Sequence, residues 1–181
     1  MARRYDPDRR QRIIDAAIRV VGEKGLAGLS HRTAAAEADV PLGSTTYHFK
    51  TLDELMVAAV RQAAEGFGKA VAARGDLSDP RTDLAADLAG LLGDWLAGER
   101  TGVELEYELY LAALRRPALR PVAAECADDL AAVLAHRTDP VTVRALVALM
   151  DGICLQVLLT DTPYDEGFAR EMFSRVIPEV G

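Results

Sequence analysis

The chain has 181 residues, half of them apolar, and a formal net charge of −7. This length is enough for one medium domain, or for a small and a larger domain that share a core. No charged-then-apolar leader opens the chain, and the apolar runs are shorter than the roughly 20 residues of a membrane span, so we expect a cytoplasmic protein without membrane contact. The two cysteines, Cys126 and Cys154, lack the C-x-x-C spacing of metal or redox sites.

The charge is distributed unevenly along the chain. Residues 1–50 carry nine Lys or Arg and six Asp or Glu, whereas residues 51–181 carry 12 and 22. A cationic head on an acidic body is typical of a protein that presents one end to a polyanion. An excess this small can also arise by chance, so charge alone does not decide the partner.

The sequence predicts an all-α protein of about nine helices, because no segment shows the alternating, β-branched pattern of a strand. Cap residues, prolines and glycines give the boundaries. The first helix runs from Asp6-Pro7 to about Gly22–Gly25, the second from Ser30 to about Ala38, the third from Pro41, the fourth from a capping box at Thr51 and Glu54 to about Gly75, the fifth from Asp79-Pro80 to Gly98, the sixth from Val103 to Arg115, the seventh to about His136, the eighth from Asp139-Pro140 to about Thr160, and the ninth from about Tyr164 to Ile177.

Residues 28–50 carry the strongest functional signal. They predict two short helices joined by a tight turn at Asp39, a residue that tolerates the left-handed conformation. The second of these helices has almost no charge but is rich in hydroxyl groups. Hydroxyls, imidazole and backbone amides bind phosphates, and short side chains reach base edges, so this composition suits a helix in a groove of DNA.

This segment resembles the DNA-binding domain of the tetracycline-repressor (TetR) family. The residues that match the family pattern are Ala35, Ala38, Val40, Gly43, His48, Phe49 and Leu55, with Tyr47 at the aromatic position before His48. Four positions depart from the pattern, namely Asp39 for Gly, Pro41 for a capping Ser, Thr46 for Tyr and Leu52 for Lys. The resemblance implies a helix-turn-helix domain in residues 1–50 and a helical ligand-binding and dimerisation domain in residues 51–181.

The resemblance also implies which residues contact a double-stranded DNA operator. Those expected at bases or nearby backbone are Arg32, Thr33, Pro41, Leu42, Gly43, Ser44 and Thr45, and those expected at phosphates are Ser30, Tyr47, His48 and Lys50. Three of them have a plainer interpretation. Leu42 could belong to the core, Tyr47 could pack on the first helix, and His48 could be an ordinary surface histidine.

The body is expected to form a homodimer and to bind a small molecule. Ala145, Ala148 and Gly152 share one stripe of the eighth helix, and Phe168 and Met172 lie on the apolar side of the ninth. In the family these helices form a four-helix bundle with their copies, which implies a palindromic operator. The alternative is that both stripes pack within one chain.

The sixth helix is the expected wall of the ligand site, because it is apolar on two sides. Glu106 lies beside its tyrosines, and a buried carboxylate there needs either a ligand or a nearby arginine as partner. The full set of expected ligand residues is Phe67, Trp95, Glu106, Tyr107, Tyr110, Met150 and Asp151.

The sequence therefore predicts a ligand-responsive transcriptional regulator, by the family's usual mode a repressor that a small-molecule effector releases from its operator. No cofactor or metal is expected. The three histidines show no metal-ligand spacing, and neither a Gly-rich phosphate loop nor a nucleophile elbow is present, which disfavours an enzyme. A helical adaptor for another protein is the other alternative, although a hydroxyl-rich helix serves a protein interface poorly. The sequence does not choose between repressor and activator.

Overall fold

The described part of the chain is helical throughout and contains nine α-helices and no strand, in agreement with the sequence prediction. The computed structural model of the protein describes residues 7–75, 77–98, 100–160 and 162–178. Three 3-10 turns, at Leu26–Gly28, Ala112–Leu114 and Pro117–Leu119, interrupt the series of helices. The helices are α1 (Arg9–Lys24), α2 (His31–Glu37), α3 (Leu42–His48), α4 (Leu52–Ala73), α5 (Leu84–Leu96), α6 (Arg100–Leu111), α7 (Arg120–Leu134), α8 (Pro140–Thr160) and α9 (Glu166–Val176).

Contacts between residues divide the chain into two compact units. The first comprises the described residues of Met1–Ala64 and Leu105–Ala123, and the second those of Glu65–Glu104 and Ala124–Gly181. The divisions fall inside α4, α6 and α7, so each of these three helices contributes residues to both units. The boundary predicted at residue 50 separates two functional domains and is not defined by contacts, so it stays a prediction.

The first unit is built around α1, which packs on α2 and α3. Ala34 and Ala35 of α2 are buried, and their small size lets the neighbouring helix approach closely. Phe49, at the end of α3, is buried as well. The other large buried side chains of this unit come from α1, from the start of α4 and from residues 105–123, namely Ile13, Val20, Leu55, Met56, Leu109 and Leu119.

The turn between α2 and α3 has the predicted left-handed residue. Asp39 has φ 51°, and it alone among the described non-glycine residues has positive φ. The N–H of Val40 then donates to the carbonyl of Ala35 at 3.0 Å, which closes the turn. This geometry sets the angle between the two short helices.

The second unit has its core between α5, α8 and α9, which pack on one another. Leu88, Leu91 and Leu92 of α5 and Phe173 of α9 are fully buried. The hydroxyl of Tyr164 donates to the carbonyl of Ala89 at 2.5 Å and so joins the segment before α9 to α5. Burial raises the pKa of Tyr164, which remains a neutral donor in this contact.

Two predicted helix starts are wrong. α1 begins at Arg9 after Asp8, so Pro7 precedes the helix, and Asp6 lies outside the described residues. α5 begins after Asp83, because the carboxylate of Asp79 is held in its own turn by the backbone N–H and guanidinium of Arg81. Asp83 instead accepts the N–H of Ala86 at 3.1 Å, and this bond holds its pKa below the ordinary value.

The capping residues predicted for α4 and α8 are present, but the carboxylate of Glu54 accepts the N–H of Lys50 at 2.6 Å, one residue before the Thr51 N–H of a capping box. Thr51 accepts the N–H of Glu54 at 3.1 Å. Asp139 accepts the hydroxyl of Thr142 at 2.6 Å and the N–H of Val141 at 2.9 Å. The Thr142 hydroxyl is the main reason why the pKa of Asp139 lies below its ordinary value. This cap therefore stabilises the fold above the ordinary carboxyl pKa, and its contribution is lost as the pH falls through the lowered value.

We expect Asp39→Gly to raise the free energy of unfolding by about 0.5–1 kcal/mol, because glycine adopts positive φ without steric cost. Asp39→Val should lower it by more than about 1 kcal/mol, since a β-branched residue is strained there. Urea denaturation followed by circular dichroism measures both changes.

The matched control is Ala36→Gly at an exposed position of α2, where φ is negative. This glycine should lower stability by about 0.5–1 kcal/mol, the opposite sign to Asp39→Gly. If both glycine variants destabilise the protein, the positive φ of Asp39 is not a source of strain.

Candidate nucleic-acid interface

The start of α2 is fixed by a reciprocal pair of hydroxyl contacts. Ser30 Oγ accepts the N–H of Thr33 at 3.1 Å, and Thr33 Oγ1 accepts the N–H of Ser30 at 2.8 Å. Thr33 Oγ1 also lies 2.9 Å from the carbonyl of Gly28, to which it donates. These two side chains hold the helix-turn-helix together, so a role for either in DNA contact stays a prediction.

The inner face of α3 carries two of the residues that the sequence assigns to bases. Ser44 is 4% exposed and Thr45 is fully buried. The hydroxyl of Thr45 donates to the carbonyl of Leu42 at 2.8 Å and lies 3.5 Å from that of His31. Side chains turned into the protein do not reach base edges, so only the backbone of Ser44 and Thr45 is left to approach DNA, and such contact stays a prediction.

The outer face of α3 carries the exposed residues of this helix. Leu42 is 45% exposed and Tyr47 is 74% exposed, so neither is a core residue in this chain. Pro41 and Gly43 are exposed too. Thr46 is exposed as well, although it is not among the residues predicted to contact DNA. Its position three and four residues after Gly43 and Leu42, on the same helical face, is the signal that finds it.

One cationic group, that of Lys50, lies beside an exposed residue of this face, and Arg10 and Arg32 are other exposed cations of the same segment of the first unit. Arg32 and Lys50 are exposed, and Lys50 Nζ lies 5.7 Å from the centre of the Tyr47 ring. His48 is half-buried, and its ring meets Tyr47 edge-on with 5.1 Å between the ring centres. The guanidinium carbon of Arg10 lies 5.0 Å from the centre of the Phe49 ring. The helix therefore presents hydroxyls and one exposed aromatic ring beside positive charges, which is the chemistry of a phosphate-binding surface.

The predicted ligand residues include two aromatic pairs. In the second unit, Phe67 and Trp95 meet edge-on with 5.1 Å between ring centres. In the first unit, Tyr107 and Tyr110 meet edge-on at 6.4 Å, and Tyr107 is buried. Met150 is buried, while Glu106 and Asp151 are half-buried and each takes part in an interaction within the chain. Whether any of these residues binds a ligand stays a prediction.

The predicted dimerisation residues lie at the surface of the single chain. Ala145 and Ala148 are exposed, Phe168 is 48% exposed, and Gly152 and Met172 are half-buried. The single chain therefore leaves much of both stripes uncovered, and whether a second copy covers them stays a prediction. The same face of α8 includes the exposed residues Val141 and Leu159, at 77% and 80% exposure.

Helix α8 is also more continuously apolar than the sequence analysis supposed. It has 21 residues, and its most apolar window has a mean hydropathy of 1.8 with 33% of the window buried. By length and composition alone it could cross a membrane, a test that apolar helices of soluble proteins also pass, so it does not indicate a membrane protein.

A family model described as "Tetracyclin repressor-like, C-terminal domain" matches residues 79–179. The chain belongs to the TetR family. A crystal structure of the multidrug binding protein EbrR complexed with imidazole is 75% identical to it, with a TM-score of 0.95 over 97% of this chain and 98% of that one. Other structures of EbrR contain ethidium, malachite green and proflavin.

Two further relatives agree with this assignment. A TetR-family member from Streptomyces coelicolor A3 is 76% identical, with a TM-score of 0.88 over 95% of this chain and 99% of that one. The nicotine-responsive transcriptional repressor HdnoR of Paenarthrobacter nicotinovorans is 29% identical over 161 residues, which are 82% of this chain and 83% of HdnoR. The TetR family comprises transcriptional regulators and is not an enzyme class. The protein is accordingly a ligand-responsive, DNA-binding transcriptional regulator.

One glycine of this TetR-family head has no structural reason to be glycine. A Cβ atom added to Gly43 would meet nothing within 4 Å, and φ at this position is not positive. We expect Gly43→Ala to leave the free energy of unfolding unchanged or to raise it by up to about 1 kcal/mol. Its affinity for operator DNA should nevertheless fall at least about tenfold, because the added methyl group stands where DNA approaches the helix.

The control is Gly68→Ala in α4, another exposed glycine without neighbours within 4 Å. It should gain similar stability and keep the affinity of the wild-type protein. Fluorescence anisotropy with a labelled operator measures affinity, and urea denaturation measures stability. Equal DNA affinity in both variants would place the DNA away from Gly43.

Proposed function

We propose that the protein is a homodimeric repressor that binds a palindromic operator and is released from it by an aromatic, cationic effector. The observation that carries the proposal is the outer face of α3, where exposed polar and aromatic side chains lie beside Lys50, together with the exposed Arg32 at the start of α2. Phosphates are held by Arg32, Tyr47, His48 and Lys50, and bases are contacted from Leu42, Gly43 and Thr46. Residues 1–50 are the DNA-binding domain and residues 51–181 bind the effector and the second copy.

The dimer forms through the exposed apolar face of α8 together with α9. Exposed alanines and a half-buried glycine leave room for a second helix to approach closely, and Val141, Leu159 and Phe168 add apolar surface around them. Contact with a second copy removes this surface from water, which stabilises the dimer by roughly 25 cal/mol for each Å² of apolar area buried. A two-fold dimer places two copies of α3 on successive turns of the duplex, so its operator is a palindrome.

The effector is an aromatic cation. Residues 51–181 carry 22 acidic and 12 basic residues, an excess that attracts cations. Phe67 and Trp95 offer aromatic faces for a flat ring, and Asp151 of the same unit offers negative charge. The relative EbrR, 76% identical, has been solved with ethidium, malachite green and proflavin, and this supports the same ligand class here.

Release of the operator is a population shift between two conformations of the dimer. An effector shifts this equilibrium only by its differential affinity for the two states, so it must bind the operator-free conformation more tightly. α4 is continuous from Leu52 to Ala73 and connects the head to the body along the chain. A displacement of α4 alters the spacing of the two α3 helices. The protein acts in the cytoplasm, where its DNA is, and performs no catalysis.

Selection of bound duplexes from a random DNA pool tests the proposal. The purified protein should enrich a palindrome with half-sites about one helical turn apart. Ethidium should release the enriched duplex in a competition that is corrected for ethidium intercalation with a duplex that the protein does not bind. A pool that stays random at low salt, where phosphate attraction is strongest, would refute operator binding.

The dimer is tested by Ala148→Glu, which places a charge in the apolar face of α8. We expect a folded monomer by sedimentation equilibrium and a loss of operator affinity of at least about a hundredfold, because each half-site is then bound alone. Ala132→Glu, at an exposed position of α7, is the control and should remain a dimer. If the Ala148→Glu protein remains a dimer, the interface does not lie on this face of α8.

The effector site is tested at Trp95, the single tryptophan of the chain. Trp95→Ala should weaken ethidium binding about five- to tenfold in calorimetry, because the cation loses an aromatic face, whereas Trp95→Phe should stay within about threefold. Ethidium should also quench the emission of Trp95 in the wild-type protein. Operator affinity without ethidium serves as the control and should not change. Ethidium binding that is indifferent to Trp95→Ala would exclude the Phe67–Trp95 pair from the site.

A further inference from the structure

The turn that leaves α1 adopts a conformation that only glycine tolerates well. Gly25, directly after the last residue of α1, has φ 68° and ψ 173°. This region of backbone space is essentially restricted to glycine. The chain then enters the 3-10 turn at Leu26–Gly28, which leads into α2. The first N–H groups of such a turn have no partner within it and need an acceptor from elsewhere.

The acceptor for Leu26 is a glutamate 82 residues further along the chain. Glu108 Oε1, on α6, accepts the N–H of Leu26 at 2.8 Å in a partly buried contact. One helical turn earlier on α6, Leu105 approaches the same end of α1, where a Cβ atom on Gly22 would lie 4.0 Å from Leu105 Cδ2. All these residues belong to the first unit. A hydrogen bond to a carboxylate is among the stronger ones in proteins.

The same turn is tied to the helix-turn-helix at its other end. Thr33 Oγ1 donates to the carbonyl of Gly28, the last residue of the turn, at 2.9 Å, and it also forms the capping box with Ser30. α2 in turn packs against α3. The carboxylate of Glu108 is thus joined through one short turn to the first residues of α2.

We propose that Glu108 is a positioning residue for DNA binding: by holding the N–H of Leu26 it fixes the turn from which α2 and α3 are presented to the operator. The inference rests on the proposed function, because it assigns Glu108 to the operator-binding conformation. Glu108 itself does not contact DNA. An oxygen acceptor at this position is what the contact requires, so glutamine can replace glutamate and alanine cannot.

The experiment uses the full chain and the variants Glu108→Ala, Glu108→Gln and Glu104→Ala. The first measurement is amide hydrogen exchange by NMR, which needs no DNA. Glu108→Ala should accelerate exchange of the Leu26 amide at least about tenfold, and amides of α5 should keep their rates. The second measurement is the Kd for the selected operator, which should rise about tenfold in Glu108→Ala. Glu108→Gln should restore most of both values, and Glu104→Ala, with an exposed side chain on the same helix, should match the wild-type protein.

The possible results separate this inference from the proposed function. Unchanged exchange at Leu26 in Glu108→Ala, or operator affinity within twofold of wild type, would overturn it. A Glu108→Gln protein as weak as Glu108→Ala would overturn the acceptor role. If the wild-type protein selects no DNA sequence, the proposed function fails, and the exchange measurement alone then supports or overturns the Glu108–Leu26 contact.

Discussion

The head of this protein depends on a length constraint: α2 and α3 have seven residues each. Isolated helices shorter than about 12–15 residues are only marginally stable in water, so these two exist because other groups hold them. For α2 those groups are the hydroxyls of Ser30 and Thr33 and the contact with α1. α3 has Pro41 at its N-cap, which offers no side-chain acceptor, and relies on α2 and on the buried Phe49. The order of the exposed face of α3 therefore depends on the contacts that α2 and α3 make with the rest of the first unit.

This constraint explains why the hydroxyl groups of the segment serve two purposes. The hydroxyl groups of Ser30, Thr33 and Thr45 form hydrogen bonds with backbone carbonyls, with N–H groups or with one another inside the head. Thr46 and Tyr47, on the opposite side of α3, are exposed. Composition alone cannot separate the two groups, because the same chemistry that binds phosphate also caps a helix. Burial makes the distinction, and it leaves Leu42, Gly43 and Thr46 as the exposed residues of α3 from which base contact is proposed.

The helices, the left-handed conformation of Asp39 and the family could all be predicted from the sequence, because each depends on local chemistry or on a motif with many matching residues. It was insufficient where two local signals compete. Asp79-Pro80 has the pattern of a helix start, but Arg81 holds the carboxylate of Asp79 in a turn, and Asp83 caps α5 instead. The sequence placed Ser44 and Thr45 at bases or nearby backbone without showing that their side chains are buried, because a motif gives positions along a helix and not the direction in which each side chain points. The contact between Glu108 and Leu26 spans 82 residues, and no periodicity reveals it.

Helix α4, which contributes residues to both units, is the element on which the proposed ligand response depends. α4 has 22 residues, about 33 Å of continuous helix at 1.5 Å per residue, and it contributes to both units. In the proposed release of the operator, a displacement at one end of α4 is carried along this helix to its other end. Its first turn is fastened to residues 105–123 by the ion pair between Arg116 and Asp53, at 2.8 Å. Both side chains of this pair are well exposed, and such pairs contribute little to stability, typically below about 1 kcal/mol. If this pair breaks in the proposed population shift, its loss costs little, so the proposed mechanism does not require an effector with a large difference in affinity for the two states.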